Sequence, residues 1–517
     1  MTERTTEPKF GASLKWQSVN VTVQVVLQLV FISALARLIL PEEFGIMAIA
    51  LVVVGFIEIF AQVGIGPALI QNPNVTIEHK RTAFVFSLGL GVIFFIGTYF
   101  AAPAVASFYN QPLLVDVLRW IALSFIISGA SVVPRSMLIK EMRFKSLFFC
   151  SSTALVFGNL ILGLTLAVND AGIWAYVAAL LTQNILLGIG YWIVAPSPVG
   201  LKLDKTSLRE MVGYGGRSTL FNMINYAAGK VDTMIVGAYS SDWTLTGLYD
   251  RSSYLMGLPV TVLGKLGDSV LFSGMSMMQK DFDRLRITVL SSVHAVSLLV
   301  LPLTVLLILR AKDVTVLLLG SSFDKATPIV AILFACVALR SFIKIGDATM
   351  RATDHLKIGA FIKLGFLIAL GVGAWWAMKD TNVVNVANIT NGSSVAWVVT
   401  ISTSIQALAI GVWMVLEMKI KGLNLIHKLL PGIILSGVVY LVAFIIQHNI
   451  NNDFLSIKNI PEIKHAVVIS AHIILSALIS ITIIFAHPEM MDGGSPELRR
   501  NIFGKLKTGT LHKRLTR

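Results

Sequence analysis

Apolar stretches of helical length follow one another from Trp16 to Ala486, separated by short polar turns. A helix needs about 20 apolar residues to cross the hydrocarbon core of a bilayer, and about fourteen segments here reach that length. They are predicted near 15–38, 43–70, 82–108, 112–134, 146–168, 171–195, 212–238, 243–273, 286–309, 326–351, 355–378, 392–416, 430–448 and 463–486. The pattern therefore predicts an all-α, polytopic membrane protein.

Two of these segments carry polar residues at helical spacing, which places the residues on one face. In the first span the stripe consists of Gln17, Asn20, Gln24 and Gln28. In the seventh span it consists of Ser218, Asn222, Asn225, Gly229 and Asp232. Hydrogen bonding between helices and the lining of a polar path both account for such a stripe, and the pattern does not separate them.

Eight basic residues fall inside the predicted spans and away from their ends: Arg119, Arg217, Lys230, Arg251, Lys265, Arg340, Lys344 and Lys363. A cation costs roughly 2.5–3.5 kcal/mol at the centre of a membrane helix on the translocon scale, so exposure of all eight to lipid is implausible. Arg119 and Lys230 are the two that snorkelling to an interface would also explain. The others predict a water-filled, cationic path, which is typical of a transporter.

Charged residues cluster most clearly in the tenth span, where Arg340, Lys344, Asp347 and Arg351 share one sector. Pairing of Asp347 with Lys344, and of Asp232 with Lys230, is the alternative to a role in transport. The predicted substrate path comprises Gln24, Gln28, Arg217, Asn222, Asn225, Arg251, Lys265, Arg340 and Lys344. The candidates for binding a coupling proton or sodium ion are Glu58, Asp232, Asp268 and Asp347. For Glu58, packing between helices is an equal explanation.

Composition narrows the class of protein further. The mean hydropathy of +0.77 and a charged fraction of 14% exclude an ordinary soluble domain. The net charge of +14 does not require nucleic acid. With the N-terminus inside, the inner segments hold 27 Lys and Arg, the outer loops hold 7 and the spans hold 8, which accounts for all 42. This asymmetry predicts that both termini are cytoplasmic.

No segment predicts catalysis or cofactor binding. The loops are too short for a soluble domain, and no phosphate-binding loop of the Gly-x4-Gly-Lys-Ser/Thr type occurs. We therefore expect no enzyme activity, no cofactor and no metal site.

Two similar turns indicate an internal repeat. Leu40–Met47 and Ser241–Tyr249 each join two spans through an acidic turn followed by a glycine, and six predicted helices separate them. Parallel repeats with the substrate path between them are a common plan of transporters. The predicted domains are an N-terminal bundle at 1–200, a C-terminal bundle at 201–420, two further helices at 421–486 and a basic cytoplasmic tail at 487–517.

Short sequence segments in the first two thirds of the chain carry a resemblance to a known family. They are Leu35–Leu38 with Pro41–Gly45, Gly66–Gln71, Val133–Arg135, Met142–Lys145, Gly172–Val177, Tyr214–Gly216, Asp232, Gly247–Arg251 and Leu255–Pro259. In this order and spacing the chain resembles the Wzx-type polysaccharide flippases of the multidrug/oligosaccharidyl-lipid/polysaccharide exporter superfamily. The branch that exports colanic acid and related exopolysaccharides is the most similar.

The resemblance implies a fourteen-helix protein of the bacterial inner membrane, with two pseudo-symmetric bundles around a central cavity. Such proteins move undecaprenyl-diphosphate-linked oligosaccharide repeat units to the periplasmic leaflet for exopolysaccharide or lipopolysaccharide assembly, alongside a polymerase. The family often has Asn where this chain has Asp250, and a carboxylate there weakens the case for Arg251 as a free cationic contact.

Three alternatives remain at this point. A cation-coupled multidrug antiporter of the same superfamily would need an anionic cavity, which the excess of basic residues argues against. A peptidoglycan-precursor flippase fits the same charges. A membrane-bound polysaccharide polymerase or ligase would be expected to carry a sizeable outer loop, and none is predicted here.

Overall fold

The computed structural model describes residues 7–450, except 62–64, 199, 201–202, 241, 268–274, 276–280 and 380–388. Within these residues every regular element is helical. The predicted fourteenth span, at 463–486, and the basic tail lie outside the described residues.

The helices up to the middle of the chain are α1 (Glu7–Leu38), α2 (Pro41–Ala61), α3 (Ile65–Gln71), α4 (Ile77–Phe108), α5 (Leu113–Ile121), α6 (Leu123–Lys140), α7 (Phe144–Leu155), α8 (Leu164–Val168), α9 (Ile173–Val194), α10 (Lys205–Tyr239) and α11 (Trp243–Gly267). The later helices are α12 (Phe282–Leu309), α13 (Ala311–Leu319), α14 (Thr327–Ala352), α15 (Leu356–Lys379), α16 (Ile389–Leu416) and α17 (Gly422–Ile450). A π-helical segment, Val156–Gly163, joins α7 to α8, and a 3-10 segment, Ser321–Ala326, precedes α14.

Eleven segments among the described residues are long and apolar enough to cross a membrane, and each coincides with a predicted span. The prediction of an all-α, polytopic membrane protein is thus confirmed. The predicted seventh and eighth spans are the helices α10 and α11, of 35 and 25 residues. They are not among the eleven because their polar residues lower the mean hydropathy of each helix.

The described chain divides into two compact units. Unit 1 consists of the residues up to 254 together with 318–326 and 363–398. Unit 2 consists of 255–317, 327–362 and the residues from 399 onward. The predicted domain boundaries at 200 and 420 remain a prediction.

Within unit 1 the two turns of the proposed repeat pack directly on each other. A Cβ atom at Gly247 would overlap the carbonyl oxygen of Pro41, and a Cβ atom at Gly45 would overlap that of Trp243. Only glycine allows backbones to approach so closely, as in small-residue contacts between membrane helices. The glycine of each turn is therefore required at the crossing of α2 and α11.

Unit 1 also includes later segments of the chain packed against its first helices. The Ser322 hydroxyl donates to the carbonyl oxygen of Ala36 at 3.4 Å, and the ring of Phe323 lies 5.6 Å from that of Phe44. Phe44 and Phe323 are both fully buried. These contacts join the end of α1 and the start of α2 to the 3-10 segment before α14.

Unit 2 is centred on α12, which packs along α14 and α17. Gly432 of α17 lies against the backbone of Ser297 on α12, with no room for a side chain. The Ser297 hydroxyl donates to the carbonyl oxygen of Lys428 at 3.0 Å. A cluster of buried apolar residues that includes Val293, Ile343 and Trp413 fills the space between the helices.

Candidate substrate path and its charges

The polar stripe on α1 faces α7 and the π-helical segment. Ser151 donates to the side-chain oxygen of Asn20 at 2.9 Å, and the Asn159 amide donates to that of Gln28 at 3.5 Å. Helix packing therefore accounts for Asn20 and Gln28 in this structure. Gln24 is half-buried, and its amide nitrogen has no hydrogen-bond partner among the described residues. Contact of Gln24 or Gln28 with substrate remains a prediction.

On α10, Asn222 is exposed, Asn225 is half-buried and Asp232 is only 5% exposed. The Asp232 carboxylate accepts hydrogen bonds from the Tyr249 hydroxyl and from the backbone N–H of Thr233, each at 2.8 Å. The alternative pairing of Asp232 with Lys230 is wrong, because residues two apart on a helix point in different directions.

Lys230 instead lies near the carboxylate of Asp250, with 3.9 Å between nitrogen and oxygen. Arg251, expected as a cationic contact, forms an ion pair with the same carboxylate and is 5% exposed. Its guanidinium lies 4.9 Å from the ring centre of Phe44 and 5.2 Å from that of Tyr254. In this structure Arg251 is thus part of the interior of unit 1 and not an exposed cation.

The basic residues on α14 are less enclosed. Arg340 is half-buried, and Lys344, one turn later on the same face, is exposed. Neither side chain has a hydrogen bond or ion pair to any described residue, so the alternative pairing of Lys344 with Asp347 is absent there. The backbone oxygen of Asp347 accepts a hydrogen bond from Arg351 at 3.3 Å.

Three of the remaining predicted residues lie wholly or partly outside the described residues. The side chains of Arg217 and Lys265, and all of Asp268, lie outside the described residues. Lys363 is half-buried in α15. The guanidinium of Arg119 lies 4.4 Å from the ring centre of Tyr99, in keeping with a residue anchored near the end of a helix.

Glu58 borders a cavity of about 430 Å³ that is lined by residues of α2, α3, α6 and α9 of unit 1. Ser128 donates to its carboxylate at 3.4 Å. The cavity is also lined by Arg135, Asn184 and Tyr191, which the sequence reasoning did not select as site residues. Arg135 did occur in a segment that carries the family resemblance, but the lining of a cavity by four helices leaves no periodic signal in the sequence.

Several known proteins are similar in sequence to this chain. A family model described as polysaccharide biosynthesis protein matches residues 34–328. Lipopolysaccharide biosynthesis protein WzxC of Escherichia coli is 22% identical over 376 residues, covering 70% of this chain and 75% of that protein. Teichuronic acid biosynthesis protein TuaB of Bacillus subtilis is 22% identical over 406 residues, covering 77% of this chain and 81% of that protein.

Solved structures with the same fold include the lipid II flippase MurJ in an inward closed conformation. It has a TM-score of 0.68 and 14% identity, and the match covers 91% of this chain and 98% of that one. An inward-facing multidrug resistance transporter of the MATE family has a TM-score of 0.60 and 13% identity, with 78% and 94% covered. Since the family match covers more than half of its residues, the chain belongs to the polysaccharide biosynthesis protein family.

Proposed function

We propose that this protein is a flippase, which moves lipid-linked oligosaccharide repeat units from the cytoplasmic to the outer leaflet of the bacterial inner membrane. The observation that carries the proposal is membership of a polysaccharide biosynthesis family by a chain whose described residues contain eleven candidate membrane spans. Its relatives are named for polysaccharide synthesis or transport, and its structural neighbours are transporters and not enzymes. The named polymers include an acidic one, teichuronic acid.

The physical task is to carry a hydrated glycan and a diphosphate past roughly 30 Å of hydrocarbon. Transfer of these groups into lipid is prohibitive, so we propose a polar path that opens to one side of the membrane at a time. Arg340 and Lys344 support this path, because they are neighbouring cations without a partner among the described residues. They would attract the diphosphate, for which Arg and Lys are the usual ligands.

The proposed orientation places both termini in the cytoplasm. The contacts of Phe44 with Phe323 and of Gly45 with Trp243 then lie at the outer ends of their helices. We therefore assign this structure of unit 1 to a state in which its outer end is closed. Net transport requires a driving force, which a proton or sodium gradient acting on Glu58, Asp232 or Asp347, or removal of the product by a polymerase, would supply.

The multidrug antiporter is disfavoured by the same cations. An organic cation would be repelled by Arg340 and Lys344, whose charges no described acidic residue neutralises. The peptidoglycan-precursor flippase shares the fold, but similarity at 14% identity supports the fold alone.

Deletion of the gene tests the function. We expect the mutant to retain glycosyl transfer in membrane extracts but to lose the surface polymer. Its lipid-linked units should resist a periplasmic glycosidase in intact spheroplasts and become sensitive after lysis. Sensitivity before lysis would show that translocation proceeds without this protein, and the polymerase or ligase alternative would have to be reconsidered.

A further inference from the structure

The cavity beside Glu58 is built to hold polar atoms between apolar walls. It lies wholly within unit 1, and its lining includes the serines 128, 131 and 136. Gly188 makes room for the Ser131 hydroxyl, since a Cβ atom there would lie 2.8 Å from it. Gly66 likewise makes room for the Ser136 hydroxyl, which would lie 3.2 Å from a Cβ atom at that position. The indole N–H of Trp192 donates to the carbonyl oxygen of Ala130 at 3.0 Å and holds α9 against α6.

The donors and acceptors around this cavity suit a ligand with many hydroxyl groups. Glu58 accepts hydrogen bonds, the Asn184 amide both donates and accepts, and the Ser128 and Tyr191 hydroxyls can do either. The walls contributed by Ile127, Val132 and Leu187 match the apolar faces of a sugar ring. A volume of about 430 Å³ lies within the ordinary range of small-molecule sites. A polyprenyl chain would leave all of these polar groups unsatisfied.

Arg135 contributes a positive charge to the cavity, whereas the basic residues that follow it in the sequence contact other groups. Lys140 donates to the carbonyl oxygens of Leu69 and Asn72, and Arg143 lies 3.6 Å from the carboxylate of Glu141. Lys145 lies over the ring of Trp16. Arg135, in contrast, is exposed and has no hydrogen bond or ion pair to a described residue. Arg135 therefore offers the cavity a guanidinium to which an anionic group can bind.

We propose that this cavity is a sugar subsite for a carboxylate-bearing ring of the transported head group, with Arg135 binding the carboxylate. A guanidinium binds a carboxylate through two parallel hydrogen bonds, which a neutral sugar cannot provide. Glu58, Asn184 and Ser128 then hold the ring hydroxyls. This inference rests on the proposed function, because it assigns part of the head group to a site within unit 1. The carboxylate can belong to a uronic acid or to a pyruvyl ketal.

Direct binding to the purified full-length protein in nanodiscs tests the subsite without any need for transport. Saturation-transfer NMR would compare methyl glucuronide, the 4,6-pyruvyl ketal of methyl glucoside, and methyl glucoside itself. We expect at least one acidic sugar to bind about tenfold more tightly than the neutral one, the effect of a single charge-assisted contact. The R135Q variant should lose this preference, because its side-chain amide cannot form an ion pair with the carboxylate.

The matched control is R143Q, which removes a basic residue eight positions later that contacts Glu141. It should keep the preference for the acidic sugar. If R135Q does not stay monodisperse, R135K keeps the charge without the two-fold hydrogen bonding and should give an intermediate preference. Equal binding of acidic and neutral sugars by the unaltered protein would overturn the proposal. The proposal would also be overturned if the R135Q variant lost its binding of inorganic diphosphate but kept its binding of methyl glucuronide. Acidic-sugar binding in a protein whose deletion leaves translocation intact would instead refute the flippase and keep the subsite.

Discussion

Single side chains show how unit 1 tolerates charges in its interior. Arg251 and Asp250 are neighbours in sequence, and both are almost fully buried. Their ion pair, the two aromatic rings beside the guanidinium and the nearby ammonium of Lys230 together satisfy groups that would otherwise be costly to bury. The pair therefore has a structural role in this state.

A double-mutant cycle on this pair tests that role. Asp250→Asn should leave the guanidinium without its counter-charge, and Arg251→Met should leave the carboxylate with Lys230 alone. Each single change is expected to cost about 3–5 kcal/mol, whereas the double change should cost less than their sum because no buried charge is left unpaired. Thermal unfolding in detergent measures all four proteins. Strictly additive effects would show that the two side chains are not coupled.

Arg340 and Lys344 are the residues on which the predicted path depends most. Arg340→Gln and Lys344→Gln remove the charge but keep most of the side-chain volume. We expect each to reduce polymer export about tenfold at unchanged protein abundance, through loss of a charge-assisted hydrogen bond. Lys357→Gln, at the exposed start of α15, is the control and should have no effect. Normal export by both α14 variants would remove these residues from the substrate path.

At the scale of elements, the crossing of α2 and α11 has the strictest steric requirement. Gly247→Ala should force the two helix starts apart, since a methyl group would meet the carbonyl oxygen of Pro41. We expect lower abundance in membranes and loss of export. Gly257→Ala lies on the same helix with nothing within 4 Å of the added carbon, so it should be neutral. Immunoblotting and polymer staining provide the measurements, and equal behaviour of the two variants would contradict the crossing.

At the scale of the whole molecule, the charge asymmetry makes the orientation testable. Cys150 and Cys336 are both buried, so single cysteines introduced elsewhere can be labelled with little background. Lys205→Cys should react with a membrane-impermeant maleimide only after lysis of spheroplasts, because we place it in the cytoplasm. Lys312→Cys and Lys379→Cys should react before lysis. The reverse pattern at all three positions would invert the proposed topology and exchange the two sides of the transport path.

Local sequence patterns determined the membrane class of this protein. Hydropathy and charge asymmetry are properties of continuous segments, so all eleven candidate spans of the described residues were predictable. The helices α10 and α11 were predictable too, although their polar residues lower their mean hydropathy. The turn repeat was also visible in sequence, as was the adjacency of Asp250 and Arg251. The direct packing of Gly45 and Gly247 on opposing backbones was not visible in the sequence, because steric contact depends on how distant segments of the chain meet.

Only the tertiary structure decided which polar residues have partners. Asn20 and Gln28 bond to α7 and the π-helical segment, Asp232 bonds to Tyr249, and Lys230 lies beside Asp250. The cavity of unit 1 was equally hidden, since Glu58, Arg135 and Asn184 come from three helices far apart in the chain. A periodic pattern reports the face of one helix, whereas a partner or a cavity is a relation between helices.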